Sequence, residues 1–201
     1  MRIIAGTHRG RQLAAPEGLA TRPMTDRVRE NLFNLLAADV PGAVALDLFC
    51  GSGALGLEAM SRGAASCLFV DADPAALAVV EANRRSLGLL DGTRVARGDA
   101  LRPGRWIVPS PPDQYTLVFV DPPYKMTADP AGRRRLAAMA EALDGLGAVA
   151  PRAAAMLRVR RGTPMDAPWP RWRVFDERSY GTTTLYLMEH EAAPETPPET
   201  G

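Results

Sequence analysis

Two stretches of the chain carry residue types whose spacing could do chemistry. The first is Asp47-Leu48-Phe49-Cys50-Gly51-Ser52-Gly53-Ala54-Leu55-Gly56. It follows an apolar run and leads into a helix-forming one. It therefore reads as a strand turning into a helix at the carboxyl edge of a sheet, where open α/β folds bind ligands. The glycines let a ligand approach the backbone, and the helix N-terminus offers free N–H groups. Gly51, Gly53 and Gly56 fit a dinucleotide fingerprint, and Asp71 follows at the distance expected of a ribose-binding acid. This stretch alone leaves NAD and S-adenosylmethionine open. Asp47 tilts the choice, because a carboxylate there suits a ligand ammonium group and repels a pyrophosphate.

The second stretch is Asp121-Pro122-Pro123-Tyr124, directly after the apolar run 116–120. Two prolines remove backbone donors and stiffen the loop. What remains is a patch of carbonyls beside the Asp121 carboxylate, which accepts hydrogen bonds from an –NH2 group. The amino nitrogen of a base is a poor nucleophile, because its lone pair is delocalised into the ring. Two acceptors that hold its protons orient the lone pair toward a methyl donor and stabilise the charge that develops. Tyr124 can stack on the base. Asp121, Pro122 and Tyr124 are the candidate catalytic residues. An NAD-dependent oxidoreductase explains the glycine turn but gives this loop no task.

These loops need elements to hold them. Residues 43–48, 66–71, 93–97, 116–120 and 153–159 read as strands. Helices are expected after the glycine turn, from Asp73-Pro74 to about Leu87, and around 131–144. Residues 173–179 and 182–188 read as a closing hairpin around Gly181. The alternation predicts a doubly wound α/β sheet covered on both faces, seven-stranded and mostly parallel, with the last strand antiparallel. Before it, residues 2–5 and 10–13 suggest a hairpin. Thr25 caps a helix whose apolar face is Val28, Leu32, Leu35 and Leu36. The expected division is an N-terminal extension over 1–40, a catalytic body over 41–191 and a disordered tail over 192–201.

Net charge is +1 over 201 residues, but it is unevenly spread. Glu189, Glu191, Glu195 and Glu199 leave the end acidic, and without the last thirteen residues the charge would be +5. Arg2, Arg9, Arg11, Arg22, Arg27 and Arg29 make the first 35 residues basic. No apolar run approaches the 18 or so residues of a membrane span, and the amino end lacks a secretory pattern. Cys50 and Cys67 form no metal cluster or disulfide framework, and His8 and His190 are far apart. No metal and no membrane are expected, and the location expected is cytoplasmic.

The Asp121–Tyr124 loop is similar to the motif of amino-group methyltransferases acting on DNA or RNA. RPMTDRVRENLFN (22–34), together with DLFCGSGALGLEAMSRGA (47–64), resembles the RsmD family of bacterial ribosomal methyltransferases. The likeness runs from RIIAGTHRGR (2–11) to YGTTTLYL (180–187). It implies a Rossmann-like S-adenosylmethionine-dependent fold. It also implies N2-methylation of a guanine in 16S rRNA, at the nucleotide conventionally numbered 966, on an assembling 30S particle with ribosomal proteins as candidate partners. A DNA adenine-N6 methyltransferase is the rival, since the same loop serves both. By the resemblance, Asp47 and the backbone at Gly51 and Gly53 hold the methionine end of the cofactor. Asp71 takes the ribose hydroxyls and Asp99 the adenine amino group. Thr25 and Arg27 would flank the cleft. Arg9, Arg11, Arg22, Arg27 and Arg29 would contact phosphates.

Overall fold

The apolar runs around the two motif loops form short strands, because β-branched and large apolar residues fit a pleated surface buried on both faces. In the computed structural model, which describes residues 1–15, 24–107, 114–167 and 169–191, they build one sheet. Its strands are β1 (Val44–Leu48), β2 (Ser66–Asp71), β3 (Thr93–Arg97), β4 (Tyr115–Val120), β5 (Val149–Arg160), β6 (Trp172–Tyr180) and β7 (Thr183–His190). Among the described residues the sheet has seven strands in the order β3-β2-β1-β4-β5-β7-β6. β7 is antiparallel to both of its neighbours, and the remaining pairings are parallel. The expected architecture, including the single reversed strand, is the observed one.

The chain steps outward from β1 through β2 to β3, then returns to place β4 on the other side of β1. The gap between β1 and β4 is the topological switch point, where such sheets open a crevice beyond their strand ends. Leu48 pairs with Val120 across that gap, and the Asp121 amide donates to the Leu48 carbonyl. The glycine turn and the Asp121 loop, some seventy residues apart in sequence, are therefore neighbours.

Helices cover both faces. α1 (Asp26–Leu35), α2 (Ala54–Ser61) and α3 (Pro74–Leu87) pack on one face against Phe69, Phe119 and Met156; α5 (Pro130–Gly145) covers the other with Leu136, Met139, Ala140 and Leu143. α3 starts on Asp73, whose side chain accepts from the Ala75 amide, and stops at Gly88 in the left-handed conformation. A short helix α4 (Tyr124–Ala128), not foreseen from the sequence, opens directly after the two prolines. Trp169 and Trp172 meet edge to face at 6.3 Å and belong to the core. No helix among the described residues is long and apolar enough to cross a membrane.

The N-terminal segment differs from a free-standing extension. Its hairpin is short, with one antiparallel bridge between Arg2 and Gln12 flanked by backbone hydrogen bonds from the Ile3, Gly10 and Leu13 amides to the opposite arm. It is also held by α2, where buried Glu58 accepts from the Ile4 and Ala5 amides at 2.7 and 3.0 Å. Asn83 of α3 accepts from the Ala14 amide and donates to the Ser52 carbonyl. Ile3, Leu13, Val28, Leu32, Phe33 and Leu36 join the same core cluster as α2 and α3. α1 shows the Thr25 cap, accepting from the Val28 amide. Its inner face differs at one position: Leu35 is 38% exposed, and Arg29 and Phe33 are buried instead.

Candidate active site

Four acidic residues mark the carboxyl ends of four adjacent strands. Asp99 follows β3, Asp71 ends β2, Asp47 lies within β1 and Asp121 follows β4. The glycine turn rises above Asp47. Gly51 and Gly53 have φ of 53° and 75°, which favours glycine. Gly56 has a different reason: a Cβ there would lie 2.4 Å from the Phe69 ring and 2.5 Å from Cys67 Sγ. The helix can sit on the sheet only if this residue has no side chain.

The turn is tied together by its own donors. The Gly51 amide donates to Asp71 Oδ2 at 2.9 Å, the Gly53 amide to the Cys50 carbonyl, and the Gly56 amide to Asp47 Oδ2 at 2.9 Å. A phosphate at a helix N-terminus needs such N–H groups for itself. With these committed, the turn suits a ligand group that donates. Asp47 is buried, and its Oδ1 has no hydrogen-bond partner. Burial pushes its carboxyl well above the usual range; the Gly56 hydrogen bond opposes this, and nearby Asp121 and Asp71 add to it. A cationic ammonium group above the turn would relieve this crowding of carboxylates. Asp71 is half-exposed, also accepts from the Asp73 amide, and keeps lone pairs for ribose hydroxyls. Asp99 Oδ1 accepts from the Leu101 amide, while its carbonyl accepts from the Trp106 indole.

Beside this lies a cavity of about 520 Å³, lined by Thr25, Arg27, Tyr124, Arg158, Tyr180 and Thr183 among others. Arg158 on its wall brings Nε to 2.7 Å from Oδ1 of Asp121, which is 19% exposed. Burial raises the Asp121 carboxyl to about 6, against the pull of Arg158. The Arg158 guanidinium lies 5.1 Å from the centre of the Tyr124 ring. The Tyr124 hydroxyl hydrogen-bonds Thr183 Oγ1 on β7. Thr25 and Arg27 thus line one cavity with Tyr124.

Other expected site residues do not meet there. Arg9 and Arg11 are exposed on the N-terminal segment, outside the cavity lining, and Arg11 donates to the Ser86 carbonyl. Arg22 lies outside the described residues. Arg29 corrects the phosphate-contact expectation, since its side chain is 1% exposed. It pairs with Asp26 at 3.0 Å and Glu58 at 3.9 Å, and donates to the Arg2 carbonyl. It is an internal tie, because its place on the helix turns it toward α2. Arg158 escapes sequence reading. An arginine in a largely apolar strand carries no motif, and only the pairing of β4 with β5 brings it to Asp121.

A family model described as conserved hypothetical protein 95 matches residues 1–189. The chain belongs to this family, the RsmD family. Its RsmD-family relatives include ribosomal RNA small subunit methyltransferase D of Escherichia coli. That protein is 42% identical over 125 residues, covering 62% of this chain and 61% of the relative. YlbH of Bacillus subtilis is 43% identical over 125 residues, covering 62% of this chain and 67% of YlbH. The alignments thus span roughly two thirds or less of these relatives' own length. The solved structure of yhhF from Escherichia coli superposes with a TM-score of 0.80 at 34% identity, covering 96% of this chain and 99% of that one. The fold of this RsmD-family chain is that of S-adenosylmethionine-dependent methyltransferases.

Proposed function

We propose that the chain transfers a methyl group from S-adenosylmethionine to the N2 amino group of a guanine in 16S rRNA. By family resemblance the nucleotide is the one numbered 966, and the substrate is an assembling 30S particle. The observation that carries the chemistry is the placement of Asp121. It stands one strand from the ligand turn and 2.7 Å from Arg158, which with Tyr124 lines a cavity that an extruded base can enter. The names of the RsmD-family relatives support ribosomal RNA as the substrate class.

Asp47, Asp71, Asp99 and the turn at Gly51 and Gly53 would hold the cofactor, with Asp47 Oδ1 and the turn's committed donors matching its ammonium end. When bound, the cofactor supplies a methyl group on a sulfonium, primed for attack by a weak nucleophile. The chain supplies the rest. The Asp121 carboxylate and the Pro122 carbonyl accept the two N–H bonds of the amine and turn its lone pair toward the methyl. Tyr124 offers the base an aromatic wall. As the N–C bond forms at the expense of the methyl–sulfur bond, which would leave a neutral thioether, the nitrogen becomes cationic and sheds one proton. Asp121, raised to about 6, is a competent acceptor for it near neutrality.

Asp71→Ala should weaken cofactor binding by about 1.5–3 kcal/mol, the value of hydrogen bonds to a charged group. Turnover at saturating cofactor should survive. Calorimetry with S-adenosylmethionine and with NAD checks this, and binding of NAD alone would overturn the reading.

The substrate is tested by tritium transfer from labelled cofactor to a partly assembled 30S particle, naked 16S rRNA and duplex DNA, followed by nucleoside analysis. The described residues form a single α/β body, which offers a surface for reading the shape of a folded RNA. The particle should be methylated best, and the product should be N2-methylguanine. Charge reversal at Arg9 and Arg11 should flatten the salt dependence, with a slope smaller by about 0.7 for each phosphate no longer neutralised, and should not change the base modified. N6-methyladenine in DNA as the main product would replace this reading with the DNA rival. N2-methylguanine made equally well on naked rRNA would remove the particle from it.

A further inference from the structure

Arg158 is the strongest charged group at the site that neither motif accounts for. Sheet register carries it there. β4 and β5 run parallel, with Phe119 opposite Met156 and Val120 opposite Leu157. One step further along both strands puts Asp121 beside Arg158 on the same face. The result is the 2.7 Å approach of Nε to Asp121 Oδ1 and the guanidinium packed on Tyr124. Two members of one loop lean on a single residue of the neighbouring strand.

Burying an arginine is costly unless its charge is matched. Met156, two residues earlier on the same face, is fully buried, so an apolar side chain suits this surface. Arg158 is 3% exposed and stands where that face meets the cavity. We propose that Arg158 is a positioning residue for methyl transfer, which keeps the Asp121 carboxylate charged and aimed and fixes the Tyr124 ring. It acts through those two residues and does not touch the reacting atoms. The inference rests on the reading of Asp121 as the acceptor of the amine.

The charged groups facing Asp121 are Arg158 from β5 and Asp47 from β1, while Tyr124 at the start of α4 packs on Arg158. Burial favours the neutral carboxyl and Arg158 opposes it. An opposite charge this close lowers a carboxyl pKa by about 1–3. Without it Asp121 holds a proton at neutral pH, and a protonated oxygen donates where the amine needs an acceptor.

The test compares Arg158→Met and Arg158→Lys with the parent chain by three readouts. These are the Asp121 carboxyl titration by carbon-13 NMR, kcat against pH at saturating cofactor, and cofactor affinity by calorimetry. In the Met variant, the titration and the acid limb of kcat should both move up by about 1–3 pH units. At pH 7 kcat should fall on the order of tenfold, and most of it should return at higher pH. The Lys variant should restore the titration, and cofactor affinity should stay at the parent value in both. A purely structural Arg158 would lower the unfolding midpoint and leave the titration and the acid limb in place, which overturns the proposal. If the titration moves and the acid limb does not follow, the acceptor reading of Asp121 fails while the hold of Arg158 on its charge stands. Should the Met variant not fold, Arg158→Gln, polar and neutral, carries the same comparison.

Discussion

Asp121→Asn should reduce methyl transfer by about 10²–10³-fold, the scale on which a preorganised charge-stabilising group acts, while cofactor affinity stays nearly unchanged. The amide keeps the shape of the carboxylate and still offers Arg158 an oxygen. It loses the negative charge, and it presents an –NH2 where the amine of the base must be accepted. The turn that would hold the cofactor is tied by Asp47 and Asp71, which this substitution leaves alone. The parent enzyme should also carry a pH signature. Asp121 is raised to about 6, so its acceptor form is lost, and transfer declines, as pH falls through that value. The Asn variant should lack this limb. Single-turnover rates across pH, with calorimetry for the cofactor, check both parts. Near-normal turnover in the variant would mean that something else orients the amine. Asp71→Ala gives the opposite split, with weak binding and preserved turnover, so the two carboxylates are separable by experiment.

The strands, the reversed β7 and the two motif loops are legible in the sequence because each is encoded locally. Apolar runs bounded by glycine and proline leave little choice of element, and alternation with helices fixes the parallel sheet. Asp47, Asp71 and Asp121 stand out because carboxylates at strand ends beside tight turns have few structural uses. The N-terminal segment is less legible. Its residues 2–13 carry the signs of a hairpin and its arms do pair, but the Ile4 and Ala5 amides are satisfied by Glu58, more than fifty positions away. Arg29 resembles part of a basic helix face because its buried charge partner Glu58 lies on α2. Arg158 is the sharpest case. Its role depends on the β4–β5 register, which is a property of the assembled sheet and of no local pattern. Tyr124 reads as a stacking ring in the sequence, whereas in the fold its hydroxyl is also tied to β7 through Thr183. In each case the missing information is a long-range pairing, not an unusual residue.

Glu58→Ala should destabilise the chain by about 3–5 kcal/mol, the cost of leaving buried charge unmatched. Glu58 is fully buried in α2 and gathers four partners. Oε2 takes the Ile4 amide and lies 3.9 Å from Arg29 Nε; Oε1 takes the Ala5 amide and the Arg62 Nε at 2.7 Å. Removing the carboxylate strands two backbone donors and the buried Arg29 guanidinium, whose charge burial disfavours and Glu58 and Asp26 sustain. The loss should concentrate where those donors sit. Amide exchange over residues 3–13 should accelerate more than exchange in β1 or β4, because the segment also leans on Ser61 through Thr7 and His8. The consequence reaches the active site through α1. Arg29 links α1 to the Arg2 carbonyl, and the start of α1 supplies Thr25 and Arg27 to the cavity wall. A loosened segment should therefore raise KM for RNA while leaving the Asp121 acid limb where it is. Denaturant unfolding, hydrogen exchange and steady-state kinetics measure these separately. Unchanged exchange over residues 3–13 would show that the apolar contacts of Ile3 and Leu13 hold the segment without Glu58. The geometry argues otherwise, because apolar packing cannot satisfy two amides that already point at a carboxylate.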